Sequence, residues 1–302
     1  MHKMATVACA AALALALSML AGCGGSSDET SGSDFTPPEH ITNSSFHANA
    51  AQTSNGASID TSCAADGYVA ASATAETRLK LLVTSGDAAY SYDLPQDGTP
   101  IVCPLTFGDG TYEFRVMQNT SGDNYVELLS VDAQVKLKSE FAPFLVPNVY
   151  CSYTDQSDCV AKARELTKSA SNEGEAVEDV CQWIVDNVSY DDNKASQLKD
   201  ASGYVPDPDA TLKSKKGICF DYASLGAAML RSLGIPAKIV TGYVSPDQIY
   251  HAWIMVYIDG TWKSAQFSVD KDTWSRVDLT FAASGDSKNV GDGKEYTDQY
   301  VY

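Results

Sequence analysis

The sequence predicts an α+β domain preceded by a small all-β domain of sandwich type, and three observations carry that reading. Residues 48–150 contain short runs of alternating apolar and polar residues (RLKLLVTS, AAYSYDL, GTYEFRVMQ, NYVELLSV), separated by Gly/Asp/Asn turns suited to hairpins. From Cys159 the pattern becomes helical in VAKARELTKSAS and NEGEAVEDVCQWIVDNV. Strand-like runs then follow in AKIVTGYV, HAWIMVYID, TWKSAQFSV and TWSRVDLTF. Between the two sets, one helix opens at Cys219 and closes at Gly234 and Pro236, the usual stop signal. Helices first and antiparallel strands after imply that this cysteine helix packs on the sheet.

Taken in chain order, residues 1–22 have a short basic start, an apolar run and small residues before Cys23. The run is too short for a comfortable membrane span and reads as an export signal. Leu20-Ala21-Gly22-Cys23 resembles the lipobox of bacterial lipoproteins, which implies cleavage before Cys23 and its lipidation. The protein is then extracytoplasmic and held on the bacterial cell membrane by its lipid. The alternative is an ordinary secretory signal with an incidental Cys23. Residues 23–47 are rich in Gly, Ser, Asp and Pro and read as a flexible tether. Residues 48–150 form the β-domain, in which no polar cluster suggests catalysis. Residues 151–302 form the α+β domain. Its helix from Asn172 carries a capping residue with Glu175 three positions later, and residues 189–217 read as a loop.

The net charge of −18, from 21 Lys+Arg against 39 Asp+Glu, argues against nucleic acid and anionic surfaces as partners. Of the eight cysteines, Cys9 leaves with the signal and Cys23 takes the lipid. No CxxC pair and no Cys/His cluster is present, so no metal is expected. Cys181 shares one helical face with Val177, Val180, Ile184 and Val188 and reads as a small buried hydrophobe. In an oxidising compartment the remaining partners are Cys63 with Cys103, and Cys151 with Cys159 across a short loop. Four cysteines allow three connectivities, and spacing does not choose among them.

Cys219 stands apart because a cysteine at a helix N-terminus feels exposed N–H groups and the positive end of the dipole, which favour thiolate. A nucleophilic thiol needs a base, and the base needs a third group to orient it. His251 is the only histidine of the C-terminal domain; His40 and His47 lie in or beside the tether.

These residues resemble the transglutaminase-like proteins of the papain-like cysteine superfamily. Gly217-Ile218-Cys219-Phe220-Asp221-Tyr222-Ala223 is similar to that family's cysteine motif, and Leu233-Gly234-Ile235-Pro236-Ala237 to the helix exit after it. Gly242-Tyr243 and His251-Ala252-Trp253 resemble its next landmarks in order and spacing, and Ser189-Tyr190-Asp191 and Tyr204-Val205-Pro206 also look familial. The resemblance covers roughly residues 155–302. For the third member, the usual spacing from Trp262 falls on Gln266. Trp274-Ser275-Arg276-Val277-Asp278-Leu279-Thr280 fits the family context one hairpin later, with Leu279 where the family often has proline. Asp278 is therefore assigned, and TWKSAQFSVDKD is treated as an inserted hairpin.

The resemblance implies a papain-like core and a Cys219–His251–Asp278 triad acting on a peptide or protein amide, with no cofactor. The backbone N–H of Cys219 would be one oxyanion donor and Tyr190 a candidate second. Two rivals remain open: a cysteine peptidase or amidase using the same triad with water as acceptor, and a non-catalytic cell-surface or wall-associated binding module.

Overall fold

A computed structural model of the protein describes residues 29–199, 201–245, 248–264, 266–285 and 296–302. Cys23 and the rest of the export segment lie outside the described residues. The first described element is a short strand, β1 (Glu29–Gly32), whose partner comes from the far end of the chain.

The alternating runs then become eight strands: β2 (Gln52–Ser54), β3 (Ala57–Asp60), β4 (Tyr68–Ala73), β5 (Leu79–Ser85), β6 (Ala88–Leu94), β7 (Ile101–Pro104), β8 (Gly110–Ser121) and β9 (Asn124–Val135). They form two antiparallel four-stranded sheets, ordered β2-β3-β4-β7 and β6-β5-β8-β9. Period-two alternation turns Leu79, Leu81 and Val83 inward with Phe114 and Val116 of β8. Ile59, Val69 and Ala71 face them from the other sheet. Each such fully buried large side chain contributes about 1.5–3 kcal/mol.

From residue 151 the order is α1 (Asp158–Leu166), α2 (Glu173–Asn187), β10 (Ser189–Tyr190), α3 (Asp192–Leu198), α4 (Pro208–Ser214), β11 (Lys216–Gly217), α5 (Cys219–Ser232), β12 (Ala237–Val244), β13 (Ile249–Val256), β14 (Gly260–Lys263), β15 (Ser268–Val269), β16 (Ser275–Val277), α6 (Leu279–Ala283) and β17 (Tyr296–Val301). The main sheet is antiparallel and ordered β16-β13-β12-β17; β14 and β15 join β1 in a smaller sheet. Helix α5 is the spine of the domain. Every residue from Asp221 to Ser232 is buried, and it packs on Ile239, Ala252 and Ile254 of the sheet and on α1 and α2. Its small residues make that depth possible: a Cβ on Gly226 would lie 2.8 Å from Leu279 Cδ1. Gly234 ends the helix at φ +82°, a left-handed conformation that favours glycine. Asn172 caps α2 by accepting the Glu175 N–H at 2.9 Å, and Glu175 Oε2 reaches back to the Ser171 N–H at 2.7 Å.

The structure departs from the sequence reading in three places. Residues 29–47 are not a flexible tether. β1 pairs in full with β14, Asp34 bridges to Asn172, and Ile41 is buried in the C-terminal core. Strand pairing uses backbone groups alone, so a polar, glycine-rich composition did not reveal it. Residues 189–217 are not an open loop either: they hold β10, α3, α4 and β11. Asp191 caps α3 and Asp207 caps α4, with Pro208 at its first turn.

The third departure concerns the disulfides, because all six described cysteines are free thiols. Cys103 is the cross-strand partner of Val69 and shares its inward face, in the β-core. Tyr68, one residue earlier, points the opposite way, where its hydroxyl accepts the Ser45 N–H, and Cys63 lies on that side with its Sγ 3.8 Å from His47 Nδ1. Cys63 and Cys103 therefore lie on opposite faces of one sheet. Cys151 donates its thiol to the Ser224 carbonyl at 3.8 Å, and Cys159 is buried beside Asp209, whose Oδ1 accepts its backbone N–H at 2.8 Å.

The two domains are joined by specific polar contacts. The buried Arg231 of α5 donates to the backbone oxygens of Ala237 (2.8 Å), Val146 (2.9 Å) and Tyr302 (2.9 Å). The Val301 N–H donates to the Tyr90 hydroxyl at 2.9 Å.

Candidate active site

The strand β13 presents His251 directly across from Gly242 of β12. Glycine is required there because a Cβ at 242 would lie 2.0 Å from the Thr297 carbonyl oxygen of β17. The close approach of β17 brings Tyr296 to the site. Gly242→Ala is expected to displace β17 and lower stability by about 1–3 kcal/mol, the usual cost of overpacking. Thermal unfolding of the variant against wild type checks this.

Asp278 ends β16 and caps α6, buried at 1% exposure. Its Oδ1 accepts the N–H groups of Thr280 (3.2 Å) and Phe281 (3.1 Å). Its Oδ2 accepts from His251 Nε2 (2.8 Å) and from the Tyr296 hydroxyl (2.8 Å). The carboxylate is thus fixed from four sides, and it fixes the ring in turn. Phe281 stacks on the imidazole at 4.4 Å and 13°. With Nε2–H given to Asp278, Nδ1 is the ring nitrogen left free, and Cys219 lies near enough for its charge to act on the imidazole. Burial alone would lower the His251 pKa. The hydrogen bond and charge of Asp278, with the charge of Cys219, outweigh it and raise the pKa to about 10. Such an imidazole is built to hold a proton beside a thiolate.

Cys219 is the first residue of α5, with Ile218 at the cap position, and is partly exposed. The turn before it is locked by Asp221, which is fully buried. Its Oδ2 accepts the Ile218 N–H (2.8 Å) and Lys194 Nζ (2.6 Å), and its Oδ1 accepts the Tyr204 hydroxyl. Lys194 also sits 4.7 Å over the Tyr204 ring. The ammonium balances the Asp221 charge, so a carboxylate two residues from the sulfur does not oppose thiolate formation unaided. Asp221 stood in the quoted motif without a role; an acidic residue at the third helical position is the signal that marks it. Lys194 and Tyr296 carried no sequence signal.

The structure pairs His251 with Asp278 and puts Cys219 within electrostatic reach of the imidazole. Tyr190 lies beside them: β10 runs parallel to β11 with Tyr190 opposite Gly217. Burial and the neighbouring Cys219, Asp192 and Asp221 charges raise its pKa. Gln266 is not behind the imidazole; its Nε2 points to the Ala282 carbonyl at 3.4 Å. Cys181 is fully buried on α2. Cys63, Cys103, Cys151 and Cys159 are remote in role, as described above.

Parts of the chain are similar to known proteins. A UPF0252 protein of Methanocaldococcus jannaschii is 30% identical over 94 residues, covering 28% of this chain and 27% of that protein. The kyphoscoliosis peptidase of Homo sapiens is 29% identical over 126 residues, covering 38% of this chain and 19% of that one. In both, the match takes in less than a third of the relative's length. A crystal structure described as a candidate cysteine protease from Cytophaga hutchinsonii is similar over 76% of this chain and 80% of that one, at 20% identity and a TM-score of 0.35. Residues 160–279, the stretch that holds all three site residues, match the model of the Transglutaminase-like superfamily.

Proposed function

We propose that this protein is a thiol acyltransferase or hydrolase that uses Cys219 as nucleophile, His251 as base and Asp278 as orienting group on peptide or protein amide bonds. The observation that carries the reading is the buried His251–Asp278 pair at 2.8 Å with the partly exposed Cys219 near enough for its charge to act on the ring. His251 takes the thiol proton, and the thiolate attacks the carboxamide carbon. The developing oxyanion meets the Cys219 backbone N–H, with the Tyr190 hydroxyl as a second donor. As the tetrahedral intermediate collapses, His251 returns its proton to the leaving amine, and a thioester remains on Cys219. An amine or water then resolves the thioester, giving transfer or hydrolysis respectively.

The test is to trap the thioester. Full-length protein incubated with a glutamine-containing peptide and analysed by mass spectrometry should carry the acyl mass on Cys219. Added alkylamine and water then compete for it, and the product ratio distinguishes transferase from peptidase. Absence of any adduct on Cys219 across peptide amides and activated esters would favour a binding module. The reading also includes export and lipid anchoring at Cys23. Cys23→Ser should release the protein from the membrane fraction and abolish incorporation of labelled fatty acid; unchanged fractionation would contradict the anchor.

A further inference from the structure

Six large apolar side chains among the described residues are between 38% and 53% exposed: Val126, Tyr190, Val205, Tyr243, Ile249 and Tyr250. Val126 lies on β9 of the β-domain and Ile249 on the opposite face of β13 from Tyr250, which leaves Tyr190, Val205, Tyr243 and Tyr250. Tyr243 and Tyr250 are cross-strand partners on β12 and β13, with rings 5.4 Å apart in an edge-to-face contact. Side chains alternate along a strand, so Tyr250 shares its face with Ala252 and Ile254, and Tyr243 shares it with Thr241 and Ile239. This is the face that α5 covers, since Ala252, Ile254 and Ile239 belong to the core around α5. The helix begins at Cys219, and beyond that end the same face continues uncovered as Tyr243 and Tyr250. Proximity is independent of that argument: the Cys219 charge bears on both Tyr250 and Tyr190. Tyr190, on β10, and Val205, which follows the Tyr204 tied to Asp221, are the exposed apolar residues of the segment that leads into α5.

We infer that Tyr190, Val205, Tyr243 and Tyr250 form the acyl-donor subsite of the Cys219 centre, and that the donor is a peptide segment with a large apolar or aromatic residue beside the scissile carboxamide. The inference rests on the nucleophile reading above and specifies its substrate class. Three features favour that occupant. The apolar surface is exposed in the free protein and lies on the sheet face that Cys219 terminates, so whatever covers it is brought up to the sulfur. The Tyr250 ring is pre-positioned by its hydroxyl bond to Thr241 Oγ1 at 2.9 Å, which makes a rigid wall. The charged groups named beside Tyr190 are carboxylates, Asp192 and Asp221, of which only Asp221 is paired with a lysine. An acidic side chain in the donor is therefore disfavoured, and an apolar one gains contact area on these side chains.

The experiment uses full-length protein and peptidyl vinyl sulfones that differ only in the residue next to the electrophile: Phe, Gly or Asp. The rate of Cys219 adduct formation, located by peptide mapping, is divided by that variant's iodoacetamide rate at Cys219, which removes changes in intrinsic thiol reactivity. The Phe probe should exceed the Gly and Asp probes by roughly 10-fold or more, the scale of apolar-pocket discrimination. Tyr250→Ala and Tyr243→Ser should each reduce that advantage, and Tyr250→Phe, which keeps the ring, should retain most of it. Equal rates for Phe and Gly probes, or a preference untouched by Tyr250→Ala, would overturn the subsite while leaving the nucleophile intact. Failure of Cys219 to react with iodoacetamide at all would instead overturn the nucleophile, and the subsite with it.

Discussion

Asp278→Asn is expected to lower acyl transfer through Cys219 by on the order of 10²–10⁴-fold while the domain remains folded. Asparagine is as good a helix cap as aspartate, so the bonds from the Thr280 and Phe281 N–H groups to the side chain can persist. What is lost is the charge facing His251 Nε2. A neutral amide does not stabilise imidazolium, and its N–H₂ in that place would force the ring into the other tautomer. The rate of thioester formation on Cys219, measured beside the thermal midpoint, separates this effect from unfolding: the rate should collapse and the midpoint should move little. The same pair has a signature in stability. Folding raises the His251 pKa from 6.5 to about 10, so protonated His251 favours the folded state. That contribution is complete below pH 6.5 and is lost as pH rises toward 10. Wild type should therefore lose stability relative to His251→Gln across that interval, and equal slopes of midpoint against pH would contradict the raised pKa.

Arg231→Leu is expected to destabilise the protein by about 3–5 kcal/mol and to loosen the junction between the two domains. Arg231 is 1% exposed, and its guanidinium is satisfied by three backbone oxygens, one from the segment linking the domains, one from β12 and one from Tyr302. Leucine fills part of the volume and leaves the Ala237 and Val146 carbonyls without this donor, while the Tyr302 oxygen keeps the Ile239 N–H at 2.9 Å; the orphaned acceptors cost more than the lost bonds themselves. Urea unfolding at fixed pH measures the change. A shift below about 1 kcal/mol would mean that water replaces the guanidinium and that the junction is held by its aromatic contacts instead, such as Tyr92 against Tyr302 at 6.1 Å.

Much of the site was legible in the sequence because its members carry positional signals. Cys219 sits where an apolar helix begins, His251 is the sole imidazole of its domain, and Asp278 lies in a context that Gln266 lacks. The helix itself was readable from Ala, Leu and Met bounded by Gly234 and Pro236. What was hidden depends on the backbone or on faces. The strand at Glu29–Gly32 pairs through main-chain groups, and Gly32 is needed there since a Cβ would lie 2.7 Å from the Asp259 carbonyl oxygen. Helix α3 buries no residue, so it leaves no apolar period to detect. Counting cysteines suggested Cys63–Cys103 and Cys151–Cys159, but counting is blind to which side of a sheet a thiol faces. Asp221, Lys194 and Tyr204 meet only after the chain between α2 and α5 has folded back on the helix start.

The measurement that tests the account most directly is the pH dependence of iodoacetamide alkylation at Cys219, followed by peptide mapping in wild type and His251→Gln. A thiolate held by imidazolium reacts well below the ordinary cysteine pKa of about 8.5. Wild type should therefore show rapid Cys219 labelling at mildly acidic pH, on the order of 10-fold or more faster than a free cysteine peptide, and His251→Gln should return the onset to the free-thiol range. Labelling of wild-type Cys219 that rises only near pH 8.5, with no change in His251→Gln, would contradict the ion pair and the nucleophile with it.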